Sequence, residues 1–494
     1  MADLKWDKDR LYQLVQEKLG DYLFLVVSNR EPYIHSFSGD EVKCVFGPGG
    51  VTAALDPVMQ ASSGTWVAWG AGDADKAVVD NKDRVRVPPD NPRYTLKRVW
   101  LTREEREGFY NGFCTSGIWP LIHQVYVRPL FLKSHWEMYQ KVNNYYAQAL
   151  LDEVAGRPAL AFFQDIHVAL VPRIAKENNP KIVSALFWHE PWPHYEVFRI
   201  LPWQKEILDG LLGNELVGFH LPEHCENFLD CAHRILGAQV DYQQSTVTWR
   251  GLTTQVRAIP ISVDFQFVSQ QAQGEEVRRE MDRLREEEGL NYPFIGVGMD
   301  RIDYTKGILE RIKALDLMLE NNPQYRGKLV FFQLGQPSRT EVEEYQAINE
   351  QIDLAVEEVN EKYQYGQWQP IINFKGYASL AARIAAMRLA NFCVVSSLHD
   401  GMNLVAKEFV SSRVDGDGVL ILSQFTGAAA ELPEALLINP FNIDEFARKI
   451  KEALEIPEAE RRRRMKTMRE TVDCNNIYRW AGSIISSLIS IARV

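Results

Sequence analysis

The sequence predicts an α/β protein of two domains, each a parallel β-sheet with helices on both faces. Short apolar runs alternate with amphipathic stretches along most of the 494 residues, and this alternation produces such sheets. A hairpin-like stretch at 247–261 interrupts the pattern, which then begins again. The length is enough for two or three domains. We therefore expect domains at 1–262 and 263–475.

The composition narrows the class of protein. Hydrophobic residues make up 46% and charged residues 24% of the chain, as is usual for soluble globular proteins. The 55 Lys and Arg against 66 Asp and Glu give a net charge of -11. This argues against nonspecific binding to nucleic acid or to an anionic membrane. If the substrates are anions, cationic side chains must be concentrated locally.

The cysteines and the chain ends favour a reducing, cytoplasmic location. The six cysteines show no CxxC spacing and no accompanying pair of histidines, which predicts free thiols and no metal site. No apolar run approaches the length of a membrane span. The first six residues, Met1 to Trp6, are too polar for a signal peptide.

Apolar runs in the first half predict five buried strands, at 22–27, 64–69, 159–163, 183–187 and 216–219. The last three are followed by Asp165, His189 and His220 respectively. The carboxyl ends of parallel strands meet at one edge of the sheet, where ligands bind. A single histidine at such a position is more often structural, but three polar ends in succession favour a site.

Two other segments of the first half have alternative interpretations. Phe46-Gly-Pro-Gly-Gly50 precedes a helix predicted at 51–61, which suits a phosphate-binding loop but is also a common turn. The aromatic residues between Phe109 and His123 could form core or a surface on which a sugar ring stacks.

The second half repeats the pattern. Strands are predicted at 293–298, 329–334, 391–395 and 418–423, and helices at 270–288, 378–389 and 443–454. The arginines at 461–464 predict a solvated helix face.

The stretch from Ser396 to Glu408 predicts a strand end, a tight turn at Asp400-Gly401 and a helix beginning near Met402. A helix amino terminus attracts anions such as phosphate. Asp400 could hold a sugar hydroxyl, and Glu408, two turns along, could reach a ribose. The alternative is an ordinary connection with Asp400 as the helix cap.

Two cations precede this stretch in a predicted loop after the strand at 293–298. Arg301 and Lys306 lie five residues apart, and together they could neutralise a diphosphate. The alternative is a surface pair bound to Asp300 and Asp303.

Several of these segments together resemble the trehalose-6-phosphate synthase family. They are Ser28-Asn-Arg30, Gly49-Gly50, Asp165-Ile-His167, Asp300 to Gly307 and Asp400 to Glu408. The resemblance implies two Rossmann-like domains facing across a cleft (the GT-B fold), with a C-terminal helix at 476–494 crossing back to the first. It implies transfer of glucose from a nucleotide sugar to a sugar phosphate with retention of configuration, and UDP-glucose ranks first as the donor. It also implies that the reaction needs no metal or other cofactor.

The resemblance also assigns roles. Arg301, Lys306 and Gly50 match the residues that bind the donor diphosphate. Asp400, Met402 and Asn403 match those that bind the transferred glucose. Leu404 and Glu408 match the nucleoside end. Asp165 and His189 match groups near the reacting sugar. Arg30, Tyr110, Trp119 and Arg339 match the acceptor side, with the first domain binding the acceptor and the second the nucleotide sugar.

Departures from the family pattern lie mainly on the acceptor side. Gln164 stands where His is common, Glu190-Pro-Trp192 replaces Ile-Pro-Phe, Cys114 to Gly117 differ, and Ala430 replaces a frequent Asn. Glucose 6-phosphate ranks first as acceptor because Tyr110 and Trp119 offer a wall for a hexose ring. Glycerol 3-phosphate, in a glucosylglycerol-phosphate synthase, and a non-catalytic sugar-phosphate sensor remain alternatives. Formation of a homo-oligomer is left open.

Overall fold

The computed structural model describes residues 5–47 and 50–493, and for residues 50, 51, 53 and 54 it describes the backbone alone. The chain forms two compact units. The first contains Met1–Ile261 and Ile477–Val494, and the second contains Ser262–Asn476.

The strands of the first unit are β1 (Leu23–Val27), β2 (Tyr33–Ser38), β3 (Glu41–Phe46), β4 (Thr65–Trp69), β5 (Arg84–Val87), β6 (Tyr94–Val99), β7 (Ala159–Gln164), β8 (Ile182–Phe187), β9 (Leu216–Phe219), β10 (Gln239–Asp241), β11 (Thr246–Trp249) and β12 (Leu252–Ala258). Its first helices are α1 (Lys8–Lys18), α2 (Gly50–Ser62), α3 (Arg103–Arg106), α4 (Trp119–His123), α5 (Lys133–Val154), α6 (Val171–Asn178), α7 (Tyr195–Phe198), α8 (Gln204–Leu211) and α9 (Pro222–Cys231).

The strands of the second unit are β13 (Phe294–Arg301), β14 (Leu329–Gln336), β15 (Ile371–Lys375), β16 (Phe392–Val395), β17 (Val419–Ser423) and β18 (Leu436–Ile438). Its helices are α10 (Phe265–Gln271), α11 (Glu275–Glu286), α12 (Ile308–Asn321), α13 (Glu343–Tyr363), α14 (Leu380–Leu389), α15 (Leu404–Ser412), α16 (Gly427–Glu431), α17 (Ile443–Glu455) and α18 (Glu458–Cys474). The last helix, α19 (Ile477–Ala492), belongs to the first unit.

The main sheet of the first unit has the order β10-β11-β12-β9-β8-β7-β1-β4-β6-β5 among the described residues. The strands from β12 through β6 in this order run parallel. All six residues of β7 are buried, as expected for a strand covered on both faces. The strand order reverses between β1 and β7, and this switch point is where ligands bind in such sheets.

The sheet of the second unit has the order β15-β14-β13-β16-β17-β18 and is parallel throughout its described strands. Its switch point lies between β13 and β16. The two strands approach closely because Gly296 has no side chain: a Cβ there would lie 2.4 Å from the ring of Phe392.

The helix α19 completes the core of the first unit. Its Trp480 is 2% exposed, with its ring centroid 5.6 Å from that of Phe162 on β7 and 5.2 Å from that of Phe187 on β8. The hydroxyl of Tyr22 donates to the carbonyl of Ala492 at 2.9 Å.

The structure corrects several predicted elements. The single helix expected at 270–288 is two helices, α10 and α11, because Gly274 starts the second one as its cap. The helix α13 and the hairpin of β2 and β3 were not predicted at all. Within the described part of the chain, no helix has both the length and the apolar content of a membrane span.

Candidate active site

At the switch point of the second unit, a lysine and an aspartate form a buried ion pair. Lys306 Nζ lies 2.6 Å from Asp400 Oδ2, and the two side chains are 11% and 12% exposed. Burial lowers the pKa of Lys306, but the carboxylate of Asp400 outweighs this effect, so the pKa is raised and the amine is cationic. The pair joins the ends of the two strands that flank the switch point.

The turn that carries Lys306 is held firmly. Asp303 caps the short 3-10 helix Tyr304–Lys306, because its carboxylate accepts from the amide of Thr305 at 3.0 Å. Gly307 then adopts a φ of +62°, and a Cβ at this position would lie 2.1 Å from the carbonyl oxygen of Ser396. Ser396 Oγ in turn donates to the carbonyl of Gly307 at 2.8 Å. The turn after β13 is therefore fixed against the end of β16.

The Asp400 carboxylate has further donors. Its Oδ2 accepts from Ser397 Oγ at 3.1 Å and from Asn403 Nδ2 at 3.2 Å. The backbone amide of Asp400 donates to the carbonyl of Phe425 at 3.0 Å. A Cβ on Gly427 would lie 2.1 Å from the carbonyl oxygen of Gly401, so only glycine permits this close approach of two chain segments.

The helix after Asp400 begins later than predicted. It starts at Leu404 rather than near Met402, and its cap is Asn403, whose side chain accepts from the amide of Ala406 at 3.1 Å. The alternative of Asp400 as cap is wrong, because Asn403 serves as the cap. The amides of Met402 and Asn403 therefore precede the helix, and Asn403 adopts a φ of +88°.

The other predicted donor residues lie on β13 and α15 of the second unit and, in the case of Gly50, on α2 of the first. Arg301 is the last residue of β13, not a loop residue, and is half-buried. Leu404 and Glu408 lie on α15, where Glu408 is 3.5 Å from Arg383 Nη1. Gly50 is the first residue of α2 in the first unit. The rest of its loop, Pro48 and Gly49, lies outside the described residues.

In the alternative interpretation, Arg301 and Lys306 would pair with Asp300 and Asp303. The main partners of these two aspartates are different residues. Asp300 forms a buried ion pair with Arg311 at 2.8 Å, and Asp303 is 3.4 Å from Arg339 Nη1. Arg339, expected on the acceptor side, follows β14, and its side chain is 5% exposed.

At the switch point of the first unit, the residues after β1 and β7 form an arginine–tyrosine contact and a pair of stacked rings. Arg30 follows β1 and donates from Nη2 to the hydroxyl of Tyr110 at 3.3 Å. The Tyr110 ring stacks on His167, with centroids 5.6 Å apart and planes 17° apart. Tyr110 lies on a π-helix, Glu107–Ile118, and a Cβ on its Gly112 would lie 2.4 Å from His135 of α5.

His189 follows β8 and is neutral. Burial lowers the pKa of His189 to about 4. Its Nε2 lies 2.8 Å from Gln164 Oε1. Its backbone amide donates to Asp165 Oδ1 at 3.3 Å. The structure thus brings Gln164, Asp165 and His189 together at the ends of β7 and β8.

Trp119 is less accessible than the predicted aromatic wall requires. It is 3% exposed, and its ring centroid lies 4.2 Å from that of His123. His123 Nε2 lies 3.1 Å from Glu190 Oε2, one of the residues that departs from the family pattern. Tyr110, which is half-buried, presents more of its ring.

Sequence reasoning missed three side chains that hold these groups in place. Tyr345 of α13 contacts Asp303, Glu431 pairs with the buried Lys407 of α15, and Gln164 contacts His189. Gln164 was noted only as a departure, and Tyr345 gave no signal because its helix was not predicted. Among residues 5–47 and 50–493, no group of three or more His, Cys, Asp or Glu side chains is arranged to hold a metal ion.

Comparison with known proteins decides the family. The sequence model of Glycosyltransferase family 20 matches residues 22–490, which include both switch points. The chain belongs to glycosyltransferase family 20. This family 20 chain is therefore an enzyme of the glycosyltransferase class, and the resemblance drawn from the sequence is confirmed.

Its relatives carry names that agree with that resemblance. The trehalose-6-phosphate synthase of Mycobacterium marinum is 38% identical, over 96% of this chain and 95% of its own length. Two crystal structures of α,α-trehalose-phosphate synthases (UDP-forming) are 27% identical to the family 20 chain, each with a TM-score of 0.84. The one from Burkholderia vietnamiensis covers 95% of this chain and 100% of its own. The one from Burkholderia xenovorans, in complex with glucose-6-phosphate, covers 94% and 100%. The predicted fold class, two Rossmann-like α/β domains of the GT-B type, is confirmed.

Proposed function

We propose that this glycosyltransferase moves glucose from UDP-glucose to glucose 6-phosphate, with retention, giving α,α-trehalose 6-phosphate and UDP. The observation that carries the proposal is the 38% identity to a trehalose-6-phosphate synthase over 96% of the chain. The name "UDP-forming" and the glucose-6-phosphate complex of the Burkholderia xenovorans enzyme support the choice of donor and acceptor.

The switch point of the second unit suits a nucleotide-sugar donor. A diphosphate leaving group develops negative charge as its bond to the sugar breaks, and fixed cations stabilise that charge. Lys306 is buried and cationic. Arg301 is the last residue of β13, the strand that leads into the turn carrying Lys306. We assign both to the diphosphate, together with Gly50. We assign Asp400, Met402 and Asn403 to the glucose, and Leu404 and Glu408 to the nucleoside.

The transfer needs no nucleophile from the protein. The bond between the anomeric carbon and the diphosphate oxygen breaks, leaving an oxocarbenium-like sugar. The acceptor hydroxyl then bonds to that carbon on the same face, and its proton passes to the departing diphosphate oxygen. Lys306 and Arg301 lower the barrier to the first event by stabilising the charge that appears on the diphosphate.

The switch point of the first unit suits the uncharged part of the reaction. His189 is neutral at pH 7 because burial lowers its pKa to about 4, so it can hydrogen-bond a sugar hydroxyl without adding charge. We assign Asp165 and His189 to the reacting sugar. We assign Arg30, Tyr110, Trp119 and Arg339 to the acceptor, with the arginines on its phosphate.

A product assay tests the proposal. UDP-, ADP- and GDP-glucose are each combined with glucose 6-phosphate, glycerol 3-phosphate and glucose, and the product is analysed by NMR for its anomeric configuration. We expect UDP-glucose with glucose 6-phosphate to give the highest kcat/KM and an α,α linkage, and unphosphorylated glucose to be a very poor acceptor. A preference for glycerol 3-phosphate, or a β linkage, would overturn the proposal. Binding of both substrates without turnover would favour a sensor instead.

A further inference from the structure

One buried carboxylate in the second unit contacts two different groups of site residues. The side chain of Asp303 is 0% exposed, and each of its oxygens accepts from a different part of the chain. Burial raises the pKa of Asp303, but the positive charges of Arg339, Arg301 and Lys306 outweigh this and keep the pKa below its ordinary value. The carboxylate is therefore anionic although it is inaccessible to water.

The first oxygen, Oδ1, holds the turn that carries Lys306. It accepts from both the amide and the hydroxyl of Thr305, each at 3.0 Å. The amide of Lys306 donates to the backbone carbonyl of Asp303, also at 3.0 Å. These bonds fix the direction in which the Lys306 side chain leaves the turn toward Asp400.

The second oxygen, Oδ2, holds Arg339 through Tyr345. It accepts from the hydroxyl of Tyr345 at 3.1 Å and lies 3.4 Å from Arg339 Nη1. Arg339 also donates to the Tyr345 hydroxyl, so this hydroxyl accepts from the arginine and donates to the aspartate. The guanidinium carbon lies 5.2 Å from the centroid of the Tyr345 ring. Tyr345 thus contacts Arg339 through both its hydroxyl and its ring.

We propose that Tyr345 and Asp303 are positioning residues: Tyr345 orients Arg339 for the phosphate of the acceptor, and Asp303 ties Arg339 to the turn that carries Lys306. The proposal rests on the proposed function, since it takes Arg339 as the ligand of the acceptor phosphate and Lys306 as that of the donor diphosphate. One carboxylate then fixes the spacing of the two cations. Preorganised charges of this kind bind and stabilise substrate without reorienting during the reaction.

Tyr345→Phe separates this role from a purely structural one, because it removes one hydroxyl and leaves the buried ring. The loss of one hydrogen bond to a charged group predicts a rise of about tenfold in KM for glucose 6-phosphate. The KM for UDP-glucose and kcat should stay within about twofold, since the Thr305 side of Asp303 is intact. Asp303→Asn, which disturbs both sides, should raise both KM values.

The chain offers a matched control. Tyr325 also donates from its hydroxyl to a carboxylate, Glu455 Oε1 at 3.1 Å, but it precedes β14 and so lies at the opposite end of the sheet from Arg339. Tyr325→Phe should leave both KM values unchanged. A second test uses the Arg339→Ala background, in which Tyr345→Phe should no longer change KM for glucose 6-phosphate, because it acts through Arg339.

Two outcomes would overturn the proposal. One is an equal rise of both KM values in Tyr345→Phe, and the other is an undiminished effect of this substitution in Arg339→Ala. The same KM comparison can be made with whichever phosphorylated acceptor the wild-type protein uses. Failure of wild type to use glucose 6-phosphate would therefore count against the proposed function. If Tyr345→Phe does not raise KM for the acceptor more than KM for UDP-glucose, the positioning role of Tyr345 is wrong.

Discussion

The ends of β13 and β16 in the second unit differ in chemistry from the ends of β7 and β8 in the first. The edge of the second unit carries buried ion pairs, among them Lys306 with Asp400 at 2.6 Å and Asp300 with Arg311 at 2.8 Å. The ends of β7 and β8 in the first unit carry neutral contacts such as His189 with Gln164 at 2.8 Å. The ends of β13 and β16 therefore offer paired charges, whereas the ends of β7 and β8 offer a neutral hydrogen-bonded pair beside the Asp165 carboxylate.

The difference follows from what each edge would have to stabilise. A buried ion pair costs desolvation free energy that its attraction does not always recover, so its presence at a switch point needs another reason. Binding a diphosphate supplies one, because cations that are already desolvated and oriented interact strongly with new negative charge. A sugar hydroxyl develops little charge, and neutral partners such as His189 suffice for it.

Replacing Lys306, the buried cation of the second unit, should have the largest effect on activity. In Lys306→Ala the leaving diphosphate loses one stabilising cation, and one such contact is worth about 3 kcal/mol, so kcat/KM should fall at least about a hundredfold. Arg301→Ala should act in the same direction. Steady-state kinetics with UDP-glucose and glucose 6-phosphate measure the change.

Lys313→Ala is the matched control for Lys306→Ala. Lys313 lies on α12 of the same unit and is exposed, so its removal should leave kcat/KM unchanged. Near-normal turnover in Lys306→Ala would show that the buried cation does not serve the leaving group.

The neutral side of the comparison can be tested by pH. The pKa of His189 is lowered from 6.5 to about 4 by burial. Between these values the unfolded chain binds a proton that the folded chain does not, so stability falls as pH drops through this window. The loss attributable to His189 is about 3 kcal/mol at most. Urea unfolding of wild type and His189→Asn across pH 4 to 7 should show a shallower slope in the variant. Equal slopes would mean that His189 titrates normally in the folded protein.

Substitutions of Gln164, which contacts His189, should have a smaller effect on activity. In Gln164→Leu the Nε2 of His189 loses its acceptor, and a net hydrogen bond of about 1 kcal/mol predicts a loss of about fivefold in kcat. Gln164→His restores a hydrogen-bonding group, the one common in the family pattern, and should recover most of the activity. If leucine and histidine at this position behave alike, the contact with His189 has no part in turnover.

Chelation should have no effect at all. In the proposed reaction, Lys306 and Arg301 supply the positive charge that a divalent cation would otherwise provide at a diphosphate. We therefore expect equal initial rates with and without EDTA. Loss of activity on chelation, restored by Mg²⁺ or Mn²⁺, would contradict the assignment of the leaving group to side chains alone.

The strands that could be predicted from the sequence are β1, β4, β7, β8, β9, β13, β14, β16 and β17, because each is a short apolar run with most of its residues buried. The ends of β7 and β8 followed to within one residue, and with them the places of Asp165 and His189, whereas β13 extends three residues beyond its predicted end, to Arg301. The hairpin of β2 and β3 was missed because its apolar residues do not mark a buried face: Phe37, Val42, Val45 and Phe46 are 41–55% exposed.

Partners distant in sequence could not be predicted. Nothing local to Tyr345 shows that its hydroxyl reaches Asp303, 42 residues away, because the contact depends on how α13 packs against the 3-10 turn Tyr304–Lys306. The start of α15 at Leu404 depends on Asn403 adopting a positive φ, which the sequence alone does not reveal.

The position of α19 ties the first unit to the order of synthesis. Residues Ser262–Asn476 are continuous, so the second unit can fold while the chain still emerges from the ribosome. The first unit has its strands early but waits for Trp480, which covers Phe162 and Phe187 beside His189. Until Trp480 has been synthesised, these apolar side chains lack their cover, and we expect the nascent chain to need chaperone protection there. The first unit is therefore the first to be synthesised but the last to complete its core.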